Sequence, residues 1–143
     1  MLAKGGQASY TQCMSYVCND CPNKCNVDRE ATYGLCGVGF LPKISRVGLH
    51  HWEEPIISGS IGSGTIFFAG CNLRCVFCQN YAISHELLGK TYTINELADA
   101  MRSLVDQGAH NINFVTPSHY TQVVKAVLYV CCAVACVVFA LLY

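Results

Sequence analysis

Three stretches of the chain carry a readable pattern of apolar positions, and they follow one another closely. Thr65 to Ala69, β-branched and aromatic with no polar break, predicts a short buried strand. Leu97, Ala98, Met101, Leu104 and Val105 recur at helical spacing behind Thr93 and Glu96, which form a capping-box pair, and Gly108 sits where such a helix stops. Asn111 to Thr116 predicts a second buried strand, ended by Pro117. Strand, helix, strand is a βαβ unit, whose strands pair in parallel through a right-handed crossover, so the expected fold class is α/β.

The flanks read differently. Cys13 to Cys36 is rich in Cys, Asn, Asp and Gly and poor in apolar runs, so it predicts a small loop-rich lobe tied together by metal. Ser58 to Gly64 is a flexible connection. Gly59 to Thr65 mimics part of a phosphate loop, but the lysine is missing and the run precedes a strand instead of following one. Residues 126–143 contain no charge, Gly or Pro. As one apolar C-terminal helix they would be about 27 Å long, marginal against a hydrocarbon layer of about 30 Å. These readings divide the chain into a metal-binding lobe over 1–57, the start of a βα core over 58–124, and an apolar segment over 125–143.

At 143 residues the chain has room for one modest domain. Nine Lys plus Arg balance nine Asp plus Glu, which leaves no net field to attract nucleic acid. Eleven cysteines, an odd number, argue against a pure disulfide framework. Met1 to Gln12 holds no apolar run of signal-peptide type, so a reducing, cytoplasmic setting is expected, where clustered thiols hold metal. Membrane association through 126–143 is the alternative.

Cys71, Cys75 and Cys78 follow C-x3-C-x2-C directly after the first predicted strand. Three thiolates on one loop would hold three irons of a 4Fe-4S cubane and leave the fourth open to chelate an amino and a carboxylate group. Phe77 supplies an aromatic face on which adenine could stack. The bland alternative is a zinc knuckle borrowing a fourth ligand; the loop contains no histidine, and His85 is the nearest in sequence.

Gly70-Cys71-Asn72-Leu73-Arg74-Cys75-Val76-Phe77-Cys78-Gln79-Asn80 resembles the cluster loop of the radical SAM superfamily, and within it the proteins related to pyruvate formate-lyase activating enzyme. His50 to Pro55, Gly62 to Thr65, Gly108 to Asn113 and Val115-Thr116-Pro117 extend the resemblance over roughly Cys18 to Tyr120. It implies a partial (β/α)6 barrel that cleaves S-adenosylmethionine reductively to methionine and a 5'-deoxyadenosyl radical. It also implies a reducing partner such as flavodoxin or ferredoxin, and a protein substrate whose glycine gives up a hydrogen. By this resemblance Cys71, Cys75 and Cys78 are the cluster ligands and Phe77 lies near the adenine. Where many members carry a glycine-rich motif ending in Glu, this chain has Val115-Thr116-Pro117-Ser118, so the hydroxyls of Thr116 and Ser118 are the candidates to meet the methionine. The family would continue with an amphipathic helix and further βα units. The apolar tail departs from that pattern, pointing to a truncated product or to a reading that changes near Val124.

Cys18, Cys21, Cys25 and Cys36 form C-x2-C-x3-C-x10-C, with Cys13 as a fifth candidate. Four thiolates suit either zinc or a second 4Fe-4S cluster; iron would relay electrons, whereas zinc would only hold the lobe together. His50, His51, Glu53 and Glu54 are either acid-base or metal groups or, more simply, a polar edge beside Trp52. His119 either faces substrate or is structural. Cys131, Cys132 and Cys136 lack polar neighbours and read as small hydrophobes. Two functional classes therefore compete: a radical SAM enzyme, and a non-catalytic iron-sulfur or zinc module.

Overall fold

The computed structural model describes residues 17–52, 54–132 and 140–142. In chain order the elements are β1 (Lys43–His50), α1 (Pro55–Ser58), β2 (Ser63–Phe68), α2 (Tyr81–Ser84), β3 (Lys90–Thr91) and α3 (Ile94–Asp106). There follow β4 (Ile112–Val115), a 3-10 turn at Ser118–Tyr120, α4 (Thr121–Cys132) and β5 (Ala140–Leu142). The strands form one sheet in the order β3-β1-β2-β4-β5. β2, β4 and β5 run parallel, and β1 lies antiparallel against both β2 and β3.

The βαβ unit forms for the reasons its sequence offers. Thr93 Oγ1 accepts from the Glu96 backbone N–H at 3.2 Å while the Glu96 carboxylate accepts from the Thr93 N–H at 2.7 Å, satisfying two donors at the start of α3. Those bonds hold the Glu96 carboxyl below its ordinary value. Leu97, Ala98, Met101 and Leu104 are buried, and Val105 falls at the rim of the stripe, 37% exposed. Gly108, at φ 86°, closes the helix with its N–H donating to Val105 O at 2.8 Å.

Alternation along the strands sorts residues between the two sheet faces. Ile66 and Phe68 of β2 and Ile112 and Phe114 of β4 pack with α3 and with Val123, Val127 and Cys131 of α4. Phe68 meets Phe114 edge-on at 5.7 Å between ring centres and Tyr120 at 5.4 Å. Thr65 and Asn113, paired in register between those positions, are buried and polar together with Ser63. Asn113 Nδ2 donates to Ser63 Oγ at 3.0 Å.

Two expectations need correction. Residues 126–143 are not one apolar helix: α4 begins at Thr121 and ends at Cys132, and Ala140–Leu142 pairs with Ile112–Phe114 as a third parallel strand. From Ala126 onward the end of the helix and the strand that follows hold no charge, Gly or Pro, so the sequence reads as one continuous apolar run. Among the described residues no helix is long and apolar enough to cross a membrane. The tail thus continues the βα pattern, as β2-α3-β4-α4-β5. Second, β1, assigned to the lobe by the division at 57/58, belongs to the sheet, pairing with β2 from Ile44 to His50. A register shift between Ile44 and Arg46 breaks its alternation and hides it in the sequence. The described strands form one open, mixed sheet with helices between its parallel strands, an α/β arrangement as expected.

Candidate functional site

The cysteine loop leaves the carboxyl end of β2, the end at which parallel α/β sheets place ligands. Ala69 N–H donates to Lys43 O at 2.7 Å and Gly70 N–H to Ile83 O at 3.0 Å, fixing the loop's base. Gly70 has φ 80°, and a Cβ there would stand 2.7 Å from Cys36 O and 3.0 Å from Val38. Only glycine fits this approach of the lobe to the loop. Beyond it Cys71 is buried, while Cys75 and Cys78 are half-buried. Their spacing is set by a turn in which Cys78 N–H donates to Cys75 O at 3.2 Å, and by Arg74 in the left-handed region at φ 49°.

Donors address the sulfurs. Leu73 N–H reaches Cys71 Sγ at 3.4 Å, and Ser84 Oγ reaches Cys78 Sγ at 3.3 Å. Ser84 Oγ is also 2.7 Å from Nδ1 of His85, whose ring stacks on Tyr81 at 4.3 Å. His85, the histidine nearest the loop in sequence, therefore meets Cys78 through Ser84. None of Cys71, Cys75 and Cys78 is in a disulfide. Among the described residues, no three His, Cys, Asp or Glu side chains are drawn onto a common metal point. Three soft thiolates on one turn, two of them receiving hydrogen bonds, fit an iron-sulfur cluster by donor chemistry. Phe77 is 86% exposed beside the third cysteine, so its ring is open to a stacking partner.

The end of β4 comes to the same place. Ser118 Oγ donates to Asn72 Oδ1 at 3.0 Å, joining the residue after the first cysteine to the β4–α4 connection. Thr116 lies between, at φ 59°. For a β-branched residue this is a strained conformation of the kind that concentrates at ligand sites. His119 points inward instead of at substrate: it is buried, with Nε2 3.0 Å from Ala69 O. Burial, with the Arg29 cation adding to it, pushes its pKa down to about 4 against the pull of that hydrogen bond, so the ring is neutral at pH 7. Neighbouring Tyr120 is pushed up to about 12, chiefly by burial, and its hydroxyl accepts from the Lys43 N–H at 3.1 Å.

The amino-terminal cysteines lie on successive turns. Cys18 N–H donates to Val27 O at 2.9 Å, Asn26 N–H to Cys18 O at 3.1 Å and Lys24 N–H to Cys21 O at 3.0 Å. Lys24 and Asn26 take positive φ angles of 41° and 53°. The sulfurs of Cys25 and Cys36 flank one point beside Gly34, at 3.4 and 3.7 Å from it. Burial raises the Cys36 thiol pKa, and Cys18 and Cys21 lie near enough to act on it in the same direction. Cys13, Glu53 and Cys136 lie outside the described residues.

Several candidates stay apart from the loop. His51 and Glu54 are exposed and Trp52 is 90% exposed, forming a polar edge with no ligand cage among the described residues. Cys131 packs in the core. A cleft of about 650 Å³ lined by Arg29, Tyr33, Phe40, Lys43, Leu87 and Thr91 opens between the lobe and the β1 edge and contains none of the cysteines.

Sequence reasoning passed over Asn72, Ser84 and Arg29. Arg29 is only 3% exposed; its guanidinium donates to His119 O and Gly39 O and lies 4.9 Å over the Tyr120 ring. An arginine in a polar cysteine-rich segment carries no pattern that would mark it as buried. Asn72, between two apolar-flanked cysteines, gave only the faint signal of a turn former.

Residues 65–134 match the profile of the Radical SAM superfamily. A relative in Methanocaldococcus jannaschii, an uncharacterized protein, is 36% identical over 123 residues, covering 78% of this chain. The chain spans 35% of the length of that curated relative. No solved structure matches it. With the thiolate loop at the end of β2 and the profile match from β2 to α4, the segment 65–134 belongs to the Radical SAM superfamily.

Proposed function

We propose that this chain forms the cluster-bearing part of a radical SAM oxidoreductase of the glycyl-radical activating type. The observation that carries the reading is the meeting of the Cys71–Cys78 loop with the end of β4 through Ser118 and Asn72. When bound, a 4Fe-4S cluster with one open iron supplies an electron to S-adenosylmethionine, yielding methionine and a 5'-deoxyadenosyl radical. Cys71, Cys75 and Cys78 would hold the cluster, and the Leu73 N–H and Ser84 hydroxyl would stabilise thiolate charge at the first and third of these cysteines. Phe77 offers its exposed face to the adenine. Thr116 and Ser118 present hydroxyls at the methionine end, in the place where a carboxylate often serves in this superfamily. The electron comes from an external donor of the flavodoxin or ferredoxin class, and the hydrogen is taken from a glycine of a protein substrate.

The test is anaerobic reconstitution of the full chain with iron and sulfide, followed by metal and sulfide analysis, electron paramagnetic resonance with and without S-adenosylmethionine, and a search for 5'-deoxyadenosine. The expected result is a reduced cluster whose spectrum shifts on adding S-adenosylmethionine, and Cys75→Ala should lack that signal. A cluster indifferent to S-adenosylmethionine that yields no 5'-deoxyadenosine would leave a non-catalytic module instead. Failure to assemble a cubane at these side chains would overturn the radical SAM reading.

A further inference from the structure

The lobe from Val17 to Pro42 has too little core to hold itself. Its buried apolar residues are Cys18, Cys36, Val38 and Pro42, while Val17, Tyr33, Leu35 and Leu41 stand exposed. One isolated bridge, Val17 with Asp28, and a few turn hydrogen bonds complete its backbone pairing. Chains this small and loop-rich need a covalent or metal staple, and its cysteines are not in disulfides. Two of them already meet: Cys25 and Cys36 share the space beside Gly34, and the Leu35 N–H donates to Cys25 Sγ at 3.4 Å. The Asn26 N–H donates to Cys18 O at 3.1 Å, which brings the backbone of Cys18 beside the residue that follows Cys25.

The residues beside these cysteines are the ones that touch the cluster loop. Asn23, between Cys21 and Cys25, donates to Asn72 O at 2.8 Å. Leu35, next to Cys36, accepts from the Arg74 guanidinium at 3.3 Å, and Arg74 adjoins Cys75. Cys36 O itself sits against Gly70, one residue before Cys71. Arg29 continues the contact to His119, which holds Ala69. Every one of these contacts lies within two residues of a cysteine in at least one partner, except the Arg29 link.

We propose that Cys18, Cys21, Cys25 and Cys36 form a second, four-thiolate metal centre whose metal clamps the lobe onto the Cys71–Cys78 loop and so governs how firmly that loop retains its own cluster. The metal is a thiophilic one, zinc or a 4Fe-4S cluster, and on binding it draws the sulfurs of Cys18 and Cys21 in to those of Cys25 and Cys36. The second half of the proposal rests on the loop holding a cluster.

The experiment measures iron, zinc and sulfide in the full chain purified anaerobically, together with the rate at which a ferrous chelator strips iron from the loop. Cys18→Ala should lose one zinc, or about four irons with their sulfide, relative to the unaltered chain, which also tells the two metals apart. Its loop cluster should release iron about tenfold faster, the scale of effect that supporting residues have on a metal site. Asn23→Ala leaves all four thiols in place, so it should keep the lobe metal and still quicken release, which guards against a Cys18 variant that merely misfolds. Unchanged metal content in Cys18→Ala overturns the proposal, as does loss of the lobe metal with an unchanged release rate in both variants. If Cys75→Ala loses no iron, the loop reading itself fails, while the lobe centre is still judged from the Cys18→Ala metal count.

Discussion

In the α/β core Ile66, Leu97, Met101 and Phe114 are fully buried, whereas in the lobe Val17, Tyr33, Leu35 and Leu41 are 45% to 69% exposed. The core is held by apolar area removed from water, which needs no cofactor. The lobe is held by turns and by its approach to the core. The difference teaches where each half of the molecule is vulnerable: the core to a lost side chain, the lobe to a lost contact. It also explains why the cluster loop sits where it does, on a rigid strand end with the softer part laid over it.

The largest break in that comparison should come from the core. Phe114→Ala, which removes a buried ring packed on Phe68, should cost about 3–5 kcal/mol in denaturant unfolding and release the lobe with it. Next is pH. His119 has its folded pKa lowered from 6.5 to about 4, so the unfolded chain takes up the proton first. The stability it contributes is full above about pH 6.5 and is lost as pH falls toward 4, by up to about 3 kcal/mol. Unfolding midpoints across that window should flatten in His119→Gln. Arg29→Met tests the joint between the two regions: leaving the His119 and Gly39 carbonyls without their donor should cost about 1–3 kcal/mol and raise protease cleavage in the lobe ahead of the core. Smallest is Thr93→Ala, which removes a cap on α3 and should lower stability by about 1 kcal/mol without altering lobe cleavage.

The sequence made the βαβ unit legible because α3 and its capping box obey local rules, and β2 and β4 are dense apolar runs bounded by turn residues. It made β1 illegible because a bulge breaks its period, and it merged α4 with β5 because residues 126–143 carry no charge, Gly or Pro to mark where one element ends. The cysteine loop was readable from its spacing. Its supports were not: Ser84 on Cys78, Ser118 on Asn72 and Arg29 on His119 are pairings across 6, 46 and 90 residues, respectively, which no local pattern encodes.

At Gly70 the side chain is a single hydrogen, and the backbone of Cys36 with the side chain of Val38 occupies the volume any larger group would take. Lobe and loop are therefore not free to drift independently over evolutionary time. A lineage that replaced this glycine would have to move the Cys36–Val38 segment outward in the same stroke, so the two stretches should be inherited, lost or remodelled as a pair.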